Sequence, residues 1–140
     1  MTGTDEVAER HGVPVLICAA DGPPVATVQD ALDLIGAAFG RAELVALPAT
    51  RLDERFFTLG TGLAGEIMQK FVNYRIRLTI VGDISGHLAA SSALRALVHE
   101  SNRGSQIWFV SDLDELDARC RPSGPIRERP VPTAEAGGAG

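Results

Sequence analysis

The chain has 140 residues, of which 45% are hydrophobic and 22% are charged, and its formal net charge is -5. This length fits a single globular domain with a sizeable core. The acidic balance, with a pI near 5.1, disfavours nucleic acid as a partner because phosphate backbones bind basic surfaces. No apolar run approaches the ~18 residues of a membrane span, so no membrane partner is expected.

The N-terminal segment and the cysteines bear on the compartment. Residues 1–12, MTGTDEVAERHG, are polar and lack the basic start and apolar stretch of a secretion signal, so we expect a flexible N-terminus and a cytoplasmic location. Cys18 and Cys120 lack a CxxC spacing and a histidine at ligand spacing. The sequence therefore predicts reduced thiols and no metal site.

The first third of the chain predicts two strands and a helix. The apolar run at 13–20, VPVLICAA, predicts a buried strand, and VAT at 25–27 predicts its hairpin partner. Thr27 and Asp30 form a capping-box pattern at the start of a helix. The apolar face of this helix is predicted to end at Phe39, with Gly40 as the stop.

The middle of the chain predicts a strand, a linker and an amphipathic helix. The strand spans 43–48, and Phe56 and Phe57 are expected to anchor the linker that follows. The helix lies within 58–75, TLGTGLAGEIMQKFVNYR. Its apolar side carries Leu63, Ile67 and Phe71, with Ala64, Met68 and Tyr74 alongside them. The polar Glu66, Lys70 and Asn73 lie on the opposite side.

The last third predicts alternating strands and helices and then a tail. Strands are expected at 76–83 and 106–111. A helix at about 88–102, capped by Ser85, lies between them, and Ser111 with Asp114 opens a final helix. Residues 122–140 are rich in Pro, Gly and Ala and are predicted to be disordered.

This order predicts an α/β domain over residues 13–121. Strands that alternate with crossover helices require parallel neighbours, and the initial hairpin adds one antiparallel strand. We therefore expect a mixed, mostly parallel five-stranded sheet with about four helices.

The candidate site lies in the loops that follow the strands, because ligands of open α/β sheets bind at the carboxyl ends of the strands. Gly62 and Gly65 are expected to expose backbone N–H groups at a helix start, where the dipole favours an anion. The alternative is that they allow tight packing of helix on sheet. Gly60, Gly62 and Gly65 fit G-x-G-x-x-G, but twelve residues separate Pro48 from Thr61, so no cofactor is predicted. Asp83, directly at a strand end, joins the candidates, with Gly82 and Gly86 beside it.

Two resemblances rest on particular stretches. VQDALDLIGAAFG, FFTLGTGLAGEIMQKFVNYRIRLTIVGDIS and ESNRGSQIWFV look like the bacterial family catalogued as domain of unknown function 4180. The element order also resembles the STAS domain of anti-sigma-factor antagonists and sulfate transporters. In that family a serine that opens a helix is phosphorylated, and LGTGL would place Thr61 at the phosphoacceptor position. Leu59 and Gly60 depart from the family's acidic residue and first serine.

Three functional interpretations follow. The first is a non-catalytic, STAS-like regulatory or protein-interaction module that binds an anion or phosphate near Thr61, unless Thr61 is only a helix cap. The second is a small enzyme or binder of an anionic small molecule. Its residues would be Glu66, Lys70 and Asn73, with Glu100, Asn102 and Arg103 from HESNRG, although Glu66–Lys70 also fits a surface ion pair. The third is self-association. No catalytic residue is assigned.

Overall fold

The computed structural model describes residues 5–120, so the predicted disordered tail at 122–140 lies outside the described residues. A single five-stranded sheet runs through the domain, and its spatial order follows the chain. The strands are β1 Glu6–Arg10, β2 Val13–Ile17, β3 Leu44–Pro48, β4 Arg77–Val81 and β5 Ile107–Val110. β1 is antiparallel to β2 and every other pair is parallel, which confirms the predicted mixed, mostly parallel sheet.

Among the described residues, five α-helices fill the connections between the parallel strands, and a sixth follows β5. They are α1 Val28–Ala38, α2 Glu54–Phe57, α3 Leu63–Asn73, α4 Ser85–Ala90, α5 Ser92–Arg103 and α6 Leu113–Cys120. Two 3₁₀ turns, Ala49–Arg51 and Leu59–Thr61, flank α2. The α/β fold class is therefore confirmed, and four of the six α-helices in the described part have eight or more residues.

The predicted hairpin is wrong. Residues 25–27 form no sheet strand; Val25 makes only an isolated parallel bridge to Leu52. The partner of β2 is β1, within the segment expected to be flexible. His11 and Gly12 join the two strands with φ of 51° and 85°, and this pair of positive φ values is what a two-residue type I′ hairpin turn requires.

Helix boundaries were predicted unevenly. The capping box at α1 is confirmed, because the Asp30 N–H donates to Thr27 Oγ1 and Asp30 accepts from the Thr27 N–H. The single helix at 88–102 is wrong. The helix is interrupted at Ser91, whose side chain accepts a hydrogen bond from the Leu94 N–H and caps α5.

The start of the final helix is also corrected. The expected cap was Ser111 with Asp114. Instead, Asp112 accepts from the Glu115 N–H, and Glu115 accepts from the N–H and hydroxyl of Ser111.

The sheet separates two hydrophobic clusters because successive strand residues point to opposite faces. The larger cluster joins alternate residues of the parallel strands, such as Leu16, Val45 and Leu78, to α1, α3 and α5. The smaller cluster, on the other face, joins Trp108 and its neighbours to Leu116 of α6. The α1, α3 and α5 helices thus share one face of the sheet.

Candidate functional site

The start of α3 lies at the carboxyl edge of the sheet, because α3 follows β3 in a parallel crossover. The residue that caps this helix is Gly62, one position later than the predicted Thr61. Thr61 instead ends a 3₁₀ turn, and its hydroxyl shares its proton between the carbonyl oxygens of Arg55 and Thr58, at 2.7 and 2.8 Å. The same oxygen accepts from the Leu63 N–H at 3.3 Å. Thr61 therefore holds segment 55–61 closed.

The glycines of this helix start have different roles, and tight packing on the sheet is not one of them. Gly62 has φ of 80°, a left-handed conformation that favours glycine. Gly65 is exposed and helical, and a Cβ placed on it would meet no atom within 4 Å. The first glycine therefore turns the chain into α3, and the second leaves an open surface.

The loop after β4 is also shaped by the chain's own contacts. A Cβ on Gly82 would lie 3.1 Å from Ala49 Cβ, so this glycine permits the close approach of Ala49. Asp83 accepts from the Ser85 N–H at 2.9 Å, and that hydrogen bond lowers the pKa of its carboxyl. Gly86 is open, with no atom near a Cβ. Asp83 thus serves the turn into α4.

A buried arginine joins the loops at this edge. Arg51 is only 5% exposed and donates to the carbonyl oxygens of Pro23 and Ala19 and to the Asp5 carboxylate. Asp5 also accepts from the Ala19 N–H at 2.8 Å. Sequence reasoning missed this cluster. Arg51 is the last residue of the 3₁₀ turn that follows β3, and a single arginine in such a turn gives no periodic signal. Arg51 fixes the loop after β2 over the sheet edge.

Cys18 lies beside this cluster, close to Asp5 and Arg51. It is buried, and burial raises the pKa of its thiol to about 12. The thiol is therefore protonated at neutral pH. No group of three or more His, Cys, Asp or Glu within residues 5–120 is arranged to hold a metal ion.

A different surface is open. Helices α1 and α3 pack side by side, and two depressions follow one another along their outer side. The upper one, of about 570 Å³, lies between Val28 and the α3 residues Gly62, Gly65, Glu66, Gln69 and Lys70. The lower one, of about 400 Å³, is lined by Leu32, Ile35, Gly36, Phe39 and Tyr74. We call the two together the α1/α3 groove.

Two large apolar side chains stand exposed at the lower end of this groove. Phe39 is 64% exposed and Tyr74 is 49% exposed. Both are predicted to belong to the apolar helix faces, and this is wrong because each is the C-cap residue that follows the last residue of its helix. Exposed apolar groups clustered at a depression are typical of an interaction surface.

The predicted polar site residues do not form one site. Glu66 and Lys70 line the upper groove, and within residues 5–120 no ion pair shorter than 4.0 Å joins them. Asn73 accepts from Gln69 on the helix surface. Glu100 and Arg103 pair with each other at 3.6 Å on α5, both largely exposed.

The last turn of α5 belongs to the opposite edge of the sheet, since α5 leads into the amino end of β5. There Asn102 exchanges two hydrogen bonds with the backbone of Phe109, at 2.7 and 3.1 Å. Its amide therefore joins α5 to β5. The rim candidates Thr61 and Asp83 and the α5 candidates thus lie at different edges.

Comparison with known families accounts for most of the chain. A family profile described as Domain of unknown function (DUF4180) matches residues 10–120. The chain belongs to this family. The match spans β2 to α6, so it covers the whole α/β domain except most of β1. No curated protein and no solved structure matches the chain.

The description of the DUF4180 family names no activity. One further property can be read directly from the helices. None of those in residues 5–120 combines the length and apolar character that a membrane crossing needs.

Proposed function

We propose that this DUF4180 chain is a non-catalytic protein-interaction module of STAS-like type that docks through the α1/α3 groove. The observation that carries the proposal is the exposure of Phe39 and Tyr74 at a groove bordered by charged residues. An interface of this kind combines an apolar centre with a polar rim. We place the module in the bacterial cytoplasm, where Cys18 and Cys120 would stay reduced.

The dispersal of the polar candidates also supports docking over chemistry. General acid–base catalysis needs groups within hydrogen-bond reach of one reacting atom. Glu66 and Lys70 border the groove, whereas Glu100 and Arg103 pair with each other on another helix. No observation favours the anionic small-molecule site that these four residues would form.

Thr61 supplies a regulatory element of the same proposal. A phosphate on its oxygen cannot donate to the carbonyls of Arg55 and Thr58, so it would release segment 55–61. It would also add about two negative charges beside the helix start, where the dipole favours them and Glu66 opposes them. The groove begins at Gly62, so this change would reach the docking surface.

Photocrosslinking in the native host tests the proposal. A photoreactive phenylalanine analogue replaces Phe39 in the groove or, as a control, exposed Ala96 on α5. We expect a discrete covalent adduct from position 39 and none from position 96. Equal crosslinking from both positions, or none from position 39, would contradict docking through the groove.

Thr61→Glu in the chain that carries the position-39 probe tests the regulatory element. We expect the adduct yield to change severalfold, with Thr58→Glu as the matched control, because the Thr58 hydroxyl makes only a 3.3 Å bond to Glu54 O. An unchanged yield in Thr61→Glu would contradict regulation at this position and leave the docking surface intact.

A further inference from the structure

The outer surface of α1 has features that fit a second copy of itself. Gly36 lies in the middle of the helix, is exposed, and has no atom within 4 Å of the place where a Cβ would be. A glycine lowers helix stability relative to alanine, and no contact among residues 5–120 requires one here. Its absent side chain leaves a gap through which another backbone can approach.

An exposed knob lies next to this gap. Phe39 is one turn further along α1, on the side that faces α3, and Leu32 lies on the same side one turn before Gly36. A two-fold axis through Gly36 and perpendicular to the helix makes two α1 helices antiparallel. It brings Phe39 of each copy opposite Leu32 of the other, at the lower groove.

Charges on the other side of α1 obey the same symmetry. Asp33 is exposed on the side away from α3. The Arg41 guanidinium reaches back along α1 and donates to the Ala37 carbonyl at 3.1 Å, one turn after Asp33. The same two-fold axis therefore brings Arg41 of each copy opposite Asp33 of the other. A self-complementary arrangement of this kind is what an isologous interface requires.

We infer that the groove's partner is a second copy of this chain, joined by antiparallel packing of α1 against α1 across Gly36. The inference rests on the proposed docking face and names its occupant. Phe39 fills the partner's lower groove, and two Asp33–Arg41 pairs flank the contact. The two helix dipoles are antiparallel, so their interaction is favourable.

Sedimentation of the full-length chain tests this inference. We expect a mass of twice 14.8 kDa for the wild type at high concentration. Asp33→Arg and Arg41→Asp are each expected to raise the dissociation constant at least tenfold, because each alone places like charges together. An equimolar mixture of the two variants restores both opposite-charge pairs, so it should form a dimer that neither forms alone.

Gly36→Gln separates association from folding. Glutamine has a higher helix propensity than glycine, and the monomer has room for its side chain. The free energy of unfolding of the monomer should therefore stay the same or rise. The dimer should nevertheless dissociate because the side chain blocks the approaching backbone. Retention of the dimer in this variant would overturn the α1 interface.

The failures of the two proposals are distinguishable. A wild-type chain that stays at 14.8 kDa, together with a position-39 adduct to another protein, overturns self-association and supports the docking face. A monomer without any position-39 adduct overturns both. Failure of the mixed charge variants to pair, with a dimeric wild type, overturns the α1 register.

Discussion

The carboxyl edge of the sheet and the α1/α3 groove differ in what their side chains contact. At the edge, Arg51, Thr61 and Asp83 bond backbone groups of the chain itself. In the groove, Phe39 and Tyr74 are exposed, and no atom lies within 4 Å of a Cβ placed on Gly65. Ligands of α/β sheets usually bind at the carboxyl edge. In this protein the polar residues at that edge instead form hydrogen bonds that hold the loops.

This difference shows that position in the fold does not by itself identify a binding site. The long β3–α3 connection needs internal hydrogen bonds to hold its two 3₁₀ turns and α2, and its polar residues supply them. The helices pack beside one another and leave a groove that no other described element fills. The protein thus combines a closed sheet edge with an open helix surface.

The largest expected effect comes from opening the closed edge. Arg51→Met removes the donors to Pro23, Ala19 and Asp5 while it keeps the aliphatic stem. We expect a loss of about 2–4 kcal/mol in the free energy of unfolding, since buried acceptors and a partly buried carboxylate lose their partner. Urea denaturation measures it.

Arg103→Met is the matched control, because the Arg103–Glu100 pair is exposed and such pairs contribute about 0–1 kcal/mol. Equal losses in the two variants would show that the carboxyl edge is not held by Arg51.

Two glycine substitutions should change the free energy of unfolding by about 1 kcal/mol in opposite directions. Gly62→Ala forces alanine into φ of 80° and should destabilise by about 1–2 kcal/mol. Gly65→Ala places alanine in a helix with open space around its Cβ and should stabilise by about 0.5–1 kcal/mol. Thermal and urea unfolding report both. A loss in Gly65→Ala would mean that the surface at position 65 is not open.

The hydroxyl of Thr61 should contribute about 1 kcal/mol, the ordinary net value of such a hydrogen bond. Thr61→Val keeps the shape and removes the donor to Arg55 and Thr58. We expect faster amide exchange in segment 55–62 and the same exchange in α5. Unchanged exchange near residue 61 would contradict its role in closing this segment.

The smallest effect is the pH dependence of the α1 cap. Hydrogen bonds from the N–H groups of Ala26 and Thr27 lower the pKa of Asp30 below 3.8. Its stabilisation is therefore complete above pH 3.8 and is lost as pH falls through the lower folded-state value. Asp30→Asn should cost about 0.5 kcal/mol at pH 7, because the site is solvent-screened. In urea titrations the difference should vanish in acid, and a pH-independent difference would contradict the assignment.

Periodicity predicted the sheet because each parallel strand is an apolar run bounded by turn residues, as in β4. It failed for β1, whose residues EVAER are half exposed at an edge and carry three charges. It also could not predict Arg51, whose partners lie 28 to 46 residues away. Periodicity places Phe39 and Tyr74 on apolar faces because both continue the helical period beyond the helix ends. Tertiary contacts determine whether such positions are buried, and the local sequence carries no information on those contacts.

Covalent carbene footprinting tests the docking surface most directly. Labelling is measured on the full-length chain inside its native host and on the dilute purified chain. Val72, which is 43% exposed on α3 and does not line the groove, is the internal control. We predict reduced labelling of Phe39 and Tyr74 in the cell and unchanged labelling of Val72. Equal labelling of Phe39 and Tyr74 in both settings, or protection confined to segment 55–61 at the sheet edge, would contradict docking through the groove.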